Sequence, residues 1–470
     1  MYTFILCLLL LIGSYFIYGK VIERISGVDA NNPTPVQRLE DGVDYMPMSR
    51  WKAFLVHFLN IAGLGPIFGV IQGALFGPSA FIWITFGTIF IGAVHDFFSG
   101  FLSLRNDGLT MPGIISKYLG STVQKFIAII TVITGVLVAT VFAMGSAALI
   151  GKLTMTPEFM WVLIIFAYFL IATLFPVDKI IGKVYPIFGG LFLLMVILMT
   201  GALILNPGYS IPELTTQGLY FSKEPIFPFL CVTIACGAIS GFHASQSPIV
   251  ARCLKTEDDS KPVFFGAMVL EGITALCWAA ITLAFFHVSP QIASSFAAVP
   301  SVAVYEMAST LLNPLGVILI IIGVVVCPIT SGDTALRSAR ITVADELGIN
   351  QEKLISRLKI ALPLFIASFA LTFVDFNLLW KYFAWAQLIV GISVLLSATV
   401  YLMRKKKPYF ITLIPSIVCI LIAVGYILQA PLGLRLPATT ANIVSVIATI
   451  IITGIFIKIY RSKDKTDVET

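Results

Sequence analysis

What this chain can fold into is set first by its apolar runs. Thirteen stretches have the composition to cross a bilayer, near 2–18, 52–76, 79–104, 122–150, 158–176, 184–205, 227–245, 262–288, 314–334, 358–375, 379–403, 408–429 and 438–460. One crossing takes about 20 predominantly apolar residues. Inside hydrocarbon each backbone N–H and C=O has to be satisfied within the protein, so such runs form helices. The expected architecture is therefore an all-α polytopic membrane protein of about 13 transmembrane helices. Charge content agrees, at 11% of residues against roughly 25% in soluble domains. The third, fourth and eighth runs exceed one crossing and are expected to tilt or to end in water. The first run has the length of a signal peptide, but no positive charge precedes it and no small-x-small cleavage site follows, so it reads as a retained span.

Lysine and arginine then orient the chain, because cytoplasmic loops carry their excess. With the N-terminus outside, 26 of the 30 basic residues fall on cytoplasmic segments; Lys152, Lys223, Lys381 and Arg435 fall outside. A missed or extra span would scramble that alternation. The reading is N-terminus out and C-terminus in. Because the basic residues sit in short loops, membrane lipid is the implied surrounding and nucleic acid is not. The seven cysteines lie mostly within apolar runs and form no CxxC pair, which supports neither a disulfide framework nor a zinc knuckle. Oligomeric state leaves no mark in the sequence.

Two of the runs are poor helix material. In Leu55 to Gly69, LVHFLNIAGLGPIFG, the residues Gly63, Gly65, Pro66 and Gly69 fall within two turns, just after His57 and Asn60. Proline removes a donor and clashes with the preceding turn, and each glycine weakens the helix further. The seventh run is interrupted in the same way by CGAISGFHASQSP, Cys236 to Pro248. A pair of glycine- and proline-interrupted spans at matching places in two halves points to a transporter's binding site; tight packing through small residues is the plainer alternative. If spans two to six form one repeat (about 51–205) and seven to eleven the other (about 227–403), five spans per repeat demand that the second be inverted. Residues 1–50 would then add one N-terminal helix and a cytoplasmic loop, and 404–470 two further helices and a tail.

Polar residues gather at one depth. Counted along each span at about 1.5 Å per residue, His57, His95, Asp96 and His243 lie toward the inner side, with Glu271 nearer the midplane. Ionisable groups at membrane depth are costly and face the bundle interior, which makes them candidates for proton coupling. Gly241, Ser245 and Gln246 lie in the second break and join His57, Asn60, Gly63, Gly65, Pro66 and His243 as candidate substrate-binding residues. Span nine ends CPITSGDTALRSAR, where Thr330, Ser331, Asp333 and Thr334 offer the oxygen ligands a hard cation prefers; a cap with Asp333 paired to Arg337 one turn on fits equally. No cofactor is expected beyond a coupling Na+ or H+. His287 sits at an outer helix end and reads as interfacial. Around Ser240 the pattern AISG misses by one residue the GxSG of an intramembrane serine protease, and no HExxH, Walker loop or strand-borne GxGxxG occurs.

The chain resembles the carbon starvation protein CstA family from about Asn32 to Gln387. The likeness is carried by TPVQRLEDGVDYMP (34–47), the His57–Gly69 run, GAVHDF (92–97), SGFHASQSPIVARC (240–253), EGITALCWAA (271–280), TSGDTALRSAR (330–340) and NLLWKYFAWAQ (377–387). It departs in having Val56-His57 where many relatives have two adjacent histidines, and in being shorter at its C-terminal end than the long enterobacterial-type members. The resemblance implies an inner-membrane uptake protein of the nutrient-limitation response, associated with peptides or, in some members, with proton-linked pyruvate uptake. It also implies the leucine-transporter-type fold of the amino acid–polyamine–organocation superfamily. Spans two and seven would be the broken helices, and a sodium site between the first and eighth core helices would fall on spans two and nine. The expected function is cation-coupled (symport) secondary active uptake of a short peptide or a carboxylate such as pyruvate; a nutrient sensor or an intramembrane enzyme are the alternatives. The 34–47 loop, with Asp41, Asp44 and Tyr45, reads as either a packed entry loop or a gate.

Overall fold

The computed structural model describes residues 1–42, 45–174, 177–239, 241–351, 353–431 and 433–466, and their side chains except at 173–185, 236, 315 and 461–466. Asp44 and Ser240, and the side chains of Lys179, Lys183, Cys236, Arg461, Lys463 and Lys465, lie outside the described residues.

The N-terminal run forms α1 (Tyr2–Phe16) and, after a break at Ile17, α2 (Tyr18–Ser26). A short helix α3 (Pro35–Leu39) leads to α4 (Arg50–Ala62) and α5 (Val70–Gly73). The chain continues through α6 (Ser79–Gly87), α7 (Ala93–Arg105), α8 (Met111–Leu119), α9 (Ser121–Thr154), α10 (Glu158–Leu174) and α11 (Val177–Leu205). The second interrupted run becomes α12 (Ile226–Thr233), α13 (Ala235–Ala238) and α14 (His243–Ala251). There follow α15 (Gly266–Val288), the short α16 (Ala293–Ala298) and α17 (Pro300–Leu311), then α18 (Pro314–Leu347) and α19 (Leu354–Leu371). The long helices α20 (Phe376–Arg404), α21 (Phe410–Gln429) and α22 (Ala438–Thr466) close the chain.

Among the described residues, ten helices are long and apolar enough to cross a membrane, eleven with the bent pair that contains α4. The shorter apolar helix Glu158–Ala172 and the broken run α12–α14 occupy the places of the fifth and seventh expected spans. The first break bends the chain by 50° between Arg50–Ala62 and Gly65–Phe76. Gly63 closes α4 at φ 31°, ψ −146°, a backbone conformation that glycine alone adopts freely. After it the chain makes a π-helical turn, Gly65–Gly69. Two more such turns, Thr88–Gly92 and Lys261–Phe265, lead into α7 and α15. Widened turns of this kind cluster at functional sites.

The two breaks touch. A Cβ on Gly237 would stand 3.1 Å from Pro66 Cα and 3.3 Å from Gly65 O, so the interrupted helices cross backbone to backbone. Around them α9 and α18, both 34 residues long, pack along each other. Their seam is made of small residues: a Cβ on Gly135 would stand 3.0 Å from Ala335 O and from Ala339 Cβ. Helix α20 packs on α9 and α21 and covers the second break.

At one end the 27–50 loop is tied down over the break-bearing helices. Arg38 pairs with Asp107 at 2.7 Å, Tyr45 Oη donates to Asp107 O, and Met48 N donates to Cys253 O. Arg105 donates to Glu257 and to Gly27 O, and Arg252 Nε donates to Gly108 O. These contacts hold Arg38, Tyr45 and Met48 against the chain at Asp107 and Cys253.

Close approach at the second break gives a direct test. A Cβ on Gly241 would stand 1.8 Å from Gln387 O, whereas one on Gly391 meets nothing nearer than 3.6 Å. Gly391→Ala is expected to keep or raise stability by up to about 1 kcal/mol through helix propensity. Gly241→Ala is expected to lose about 3 kcal/mol by overpacking. Thermal melting of the purified variants, followed by circular dichroism, checks the order; equal melting temperatures would contradict the close contact.

Candidate functional site

The breaks carry the site because they place histidines. His57 sits one turn before the end of α4, and His243 is the first residue of α14. From neighbouring helices, α7 brings Asp96 and α15 brings Glu271. All four side chains are fully buried. They form one line. His57 Nε2 lies 3.0 Å from Asp96 Oδ2, His243 Nδ1 lies 3.9 Å from the same oxygen, and His243 Nε2 lies 3.2 Å from Glu271 Oε2. The last contact is near enough for an ion pair but too oblique for a hydrogen bond. The edge of the His57 ring rests on Phe264, from the π-helical turn before α15, at 5.0 Å.

Two serines complete the Asp96 environment. Ser99 Oγ donates to Ser247 Oγ at 2.6 Å, and Ser247 Oγ donates to Asp96 Oδ1 at 2.9 Å. Neither serine was singled out from sequence. Their spacing held the signal, since Ser99 follows Asp96 by three residues and Ser247 follows His243 by four, the offsets that share a helix face. Burying a carboxylate without such partners would cost several kcal/mol.

The end of α4 is capped from another helix. A helix terminus leaves its last carbonyls without partners, and here Ser331 Oγ on α18 donates toward Asn60 O at 2.9 Å and Leu59 O at 3.3 Å. The Ser331 hydroxyl also lies 3.0 Å from Cys327 O, and Cys327 Sγ donates to Leu59 O at 3.3 Å. Thr330 and Thr334 return their hydroxyl protons to their own helix, at Cys327 O and Thr330 O. Asp333 is buried about 200° round α18 from Ser331; Arg337, one turn further on, donates to Ala172 O of α10. Of the four span-nine residues, Ser331 is the one whose hydroxyl bonds the carbonyls of the first break.

The remaining candidates fall around the line. His95, also fully buried, has its ring edge against Gly391 of α20 beside the second break, and neither ring nitrogen has a hydrogen-bond partner among the described residues. The Asn60 side-chain amide and Gln246 Oε1 are likewise buried and unpartnered, while Gln246 Nε2 donates to Ser245 Oγ. Gly63 lies under Phe142, Gly65 and Pro66 form the crossing with Gly237, and Gly241 abuts α20. Ser245 lines a cavity of about 20 Å3 with Thr131, Ser338 and Arg252, room for about one water molecule. Among the described residues, no group of three or more His, Cys, Asp or Glu is arranged to hold a metal ion.

The carbon starvation protein CstA family matches residues 1–156 and 145–316, about two thirds of the chain. The chain belongs to that family. A membrane protein of Haemophilus influenzae with no assigned function is 41% identical over 62% of this chain and 92% of its own length. The peptide transporter CstA of Bacillus subtilis is 30% identical over 56% of this chain and 55% of its own length. The pyruvate/proton symporter BtsT of Escherichia coli is 27% identical over 54% and 45%. The chain thus spans about half the length of the two transporters it matches. Among solved structures, MhsT in complex with L-phenylalanine superposes with a TM-score of 0.59 at 13% identity, covering 87% of this chain and 99% of that one. A manganese transporter of Eremococcus coleocola superposes at 0.53 with 12% identity, covering 92% and 99%. Both have the leucine-transporter-type fold, and this member of the CstA family shares it.

The α18 cap makes a specific demand. Ser331→Ala leaves buried carbonyls at the end of α4 short of a donor, which is expected to cost about 1–3 kcal/mol, while Ser331→Thr keeps the hydroxyl and most of the stability. Melting of the two variants in detergent is the measurement; an alanine variant as stable as the parent would remove the cap.

Proposed function

We propose that this chain is a proton-coupled secondary active transporter that takes up a small carboxylate-bearing nutrient, a short peptide or an acid such as pyruvate. The observation that carries the reading is the buried line His57–Asp96–His243–Glu271, placed by both helix breaks. Two imidazoles facing two carboxylates are electrically neutral as a set while holding one shared proton per pair. A substrate carboxylate entering this interior brings a negative charge that the low dielectric penalises. Taking up one more proton restores neutrality, so substrate and proton travel together. The relatives' names, peptide transporter and pyruvate/proton symporter, agree with that chemistry.

The unpartnered Asn60 amide, Gln246 Oε1 and His95 ring supply hydrogen-bonding groups for the substrate, with backbone amides at the Gly63–Gly69 and Gly237–Gly241 breaks favouring its carboxylate. Sodium coupling is the second reading, in which the Ser331 hydroxyl and the α4 carbonyls beside it would ligate the ion. The two repeats, 51–205 and 227–403, would rock about these breaks to expose the site to each side in turn. Residues 1–50 and 404–470 would add the flanking helices, with the N-terminus outside and the C-terminus in the cytoplasm. Enzyme chemistry is disfavoured by the order of the cluster: Ser247 gives its proton to Asp96 rather than to an imidazole, so it forms no serine–histidine pair of the kind that activates a nucleophile.

Uptake of labelled pyruvate and of a labelled dipeptide into proteoliposomes tests this, with proton and sodium gradients applied separately. For a monoanion moving with one proton, accumulation is expected to rise about tenfold per pH unit, the 1.36 kcal/mol that a unit represents. Asp96→Asn and Glu271→Gln are expected to abolish that accumulation. A Glu271→Gln variant that still exchanges labelled for unlabelled substrate would mark loss of coupling alone. Dependence on sodium alone, or accumulation of neither substrate, would overturn the proposal; binding without counterflow would indicate a sensor.

A further inference from the structure

A second site lies outside the transport core, where α1 meets α4 and α15. A groove of about 800 Å3 opens there, within the size range of small-molecule sites. Its wall is apolar and runs along the three helices through Ile12, Phe16, Phe54, Val269, Leu270 and Ile273. Its mouth is charged, with Arg50 and Lys261 facing Glu23 and Asp258. A charged mouth above a long apolar wall has the shape of a phospholipid, headgroup at the rim and acyl chain along the helices.

The charges at the mouth are mixed in sign. Arg50 Nε pairs with Asp259 at 2.6 Å and Lys261 Nζ pairs with Glu23 at 2.9 Å. The Arg50 side chain is half-exposed, and its guanidinium carries five N–H donors, of which the Asp259 contact engages the one on Nε. Asp258 is exposed and belongs to neither pair. Trp51, 74% exposed, stands beside Arg50 at the rim, as tryptophans do at the membrane–water boundary.

We propose that this groove binds one zwitterionic aminophospholipid of the phosphatidylethanolamine class, its phosphate on Arg50 and its ammonium on Asp258. Three headgroups separate cleanly on this chemistry. An anionic glycerol headgroup would set its charge among three carboxylates with no ammonium to offer Asp258. A choline headgroup has a cation but no N–H to donate. Ethanolamine alone presents both a phosphate acceptor and ammonium donors, and charge-assisted hydrogen bonds are the strong ones. A second groove of about 510 Å3, between α2, α6 and α21, has no charged residue in its lining and provides no basis for headgroup choice. Because Arg50 and Trp51 open α4, a lipid held there bears on the helix that carries His57 and the first break.

The test uses the full chain in detergent, exchanged against an equimolar mixture of phosphatidylethanolamine, phosphatidylcholine and phosphatidylglycerol with identical acyl chains. Native mass spectrometry then reads the retained lipid. One phosphatidylethanolamine per chain is expected, preferred over each of the others about tenfold, the worth of one charge-assisted hydrogen bond. Asp258→Asn, an exposed change that leaves both ion pairs in place, is expected to erase the preference over phosphatidylcholine while lipid is still retained. Equal or greater retention of phosphatidylglycerol, or an unchanged preference in Asp258→Asn, would overturn the proposal. Displacement of the lipid by soluble phosphoethanolamine would also overturn it, because the site would then read the headgroup without the chains. The experiment involves no transport, so its result is independent of the coupling reading.

Discussion

A helix broken inside a membrane releases backbone groups that neither lipid nor its own turn can satisfy, at several kcal/mol each. The rest of this structure follows from where those groups go. The two breaks are set against each other at Gly65–Pro66 and Gly237, close enough that a side chain on Gly237 would press on the opposite backbone. The carbonyls at the end of α4 are taken up by Ser331 and Cys327, one turn apart on α18. Helix α20 approaches the second break so closely that Gly241 has no room for a methyl group. Each of these contacts fixes the angle and depth of a long helix, so the bundle is arranged around its two weakest points.

The same arrangement places the ionisable groups. His57 lies just over one turn before one break and His243 is the first helical residue after the other. Breaking both helices at one level therefore brings two imidazoles together, and α7 and α15 supply a carboxylate for each. The pairing is also a condition for burial, because a single charged group at that depth would be driven out or neutralised. Site and scaffold are thus one interaction seen from two sides: remove Asp96 and the histidines lose their partner, move the breaks and the pairs come apart.

Much of this was legible in the sequence, and the parts that were not have physical reasons. Helix lengths, both interruptions and the common depth of His57, Asp96, His243 and Glu271 follow from hydrophobicity and the rise of a helix. Rotation about the helix axis does not. His95 shares the depth of its neighbour Asp96 but lies about 100° away on α7, and its ring edge meets Gly391 of α20. On α18 the same geometry separates Asp333 from Ser331, and the threonine hydroxyls take the local option of bonding to their own helix. Ser99 and Ser247 were overlooked because a serine in an apolar span is usually a packing residue, and only the crossing of α7 with α14 makes these two a bridge. The headgroup-sized mouth beside Arg50 needs three helices to exist and has no signature in any one of them.

The cap on α4 carries a consequence for how such a bundle opens. The donors that satisfy Leu59 O and Asn60 O belong to another helix, so α4 cannot part from α18 without stranding those carbonyls. Water entering the gap would be a ready substitute donor. Parting the helices and wetting the gap would then go together, so the chemical potential of water would bear on that step. Osmotic stress, applied with a solute too large to enter, would be a handle on any such opening.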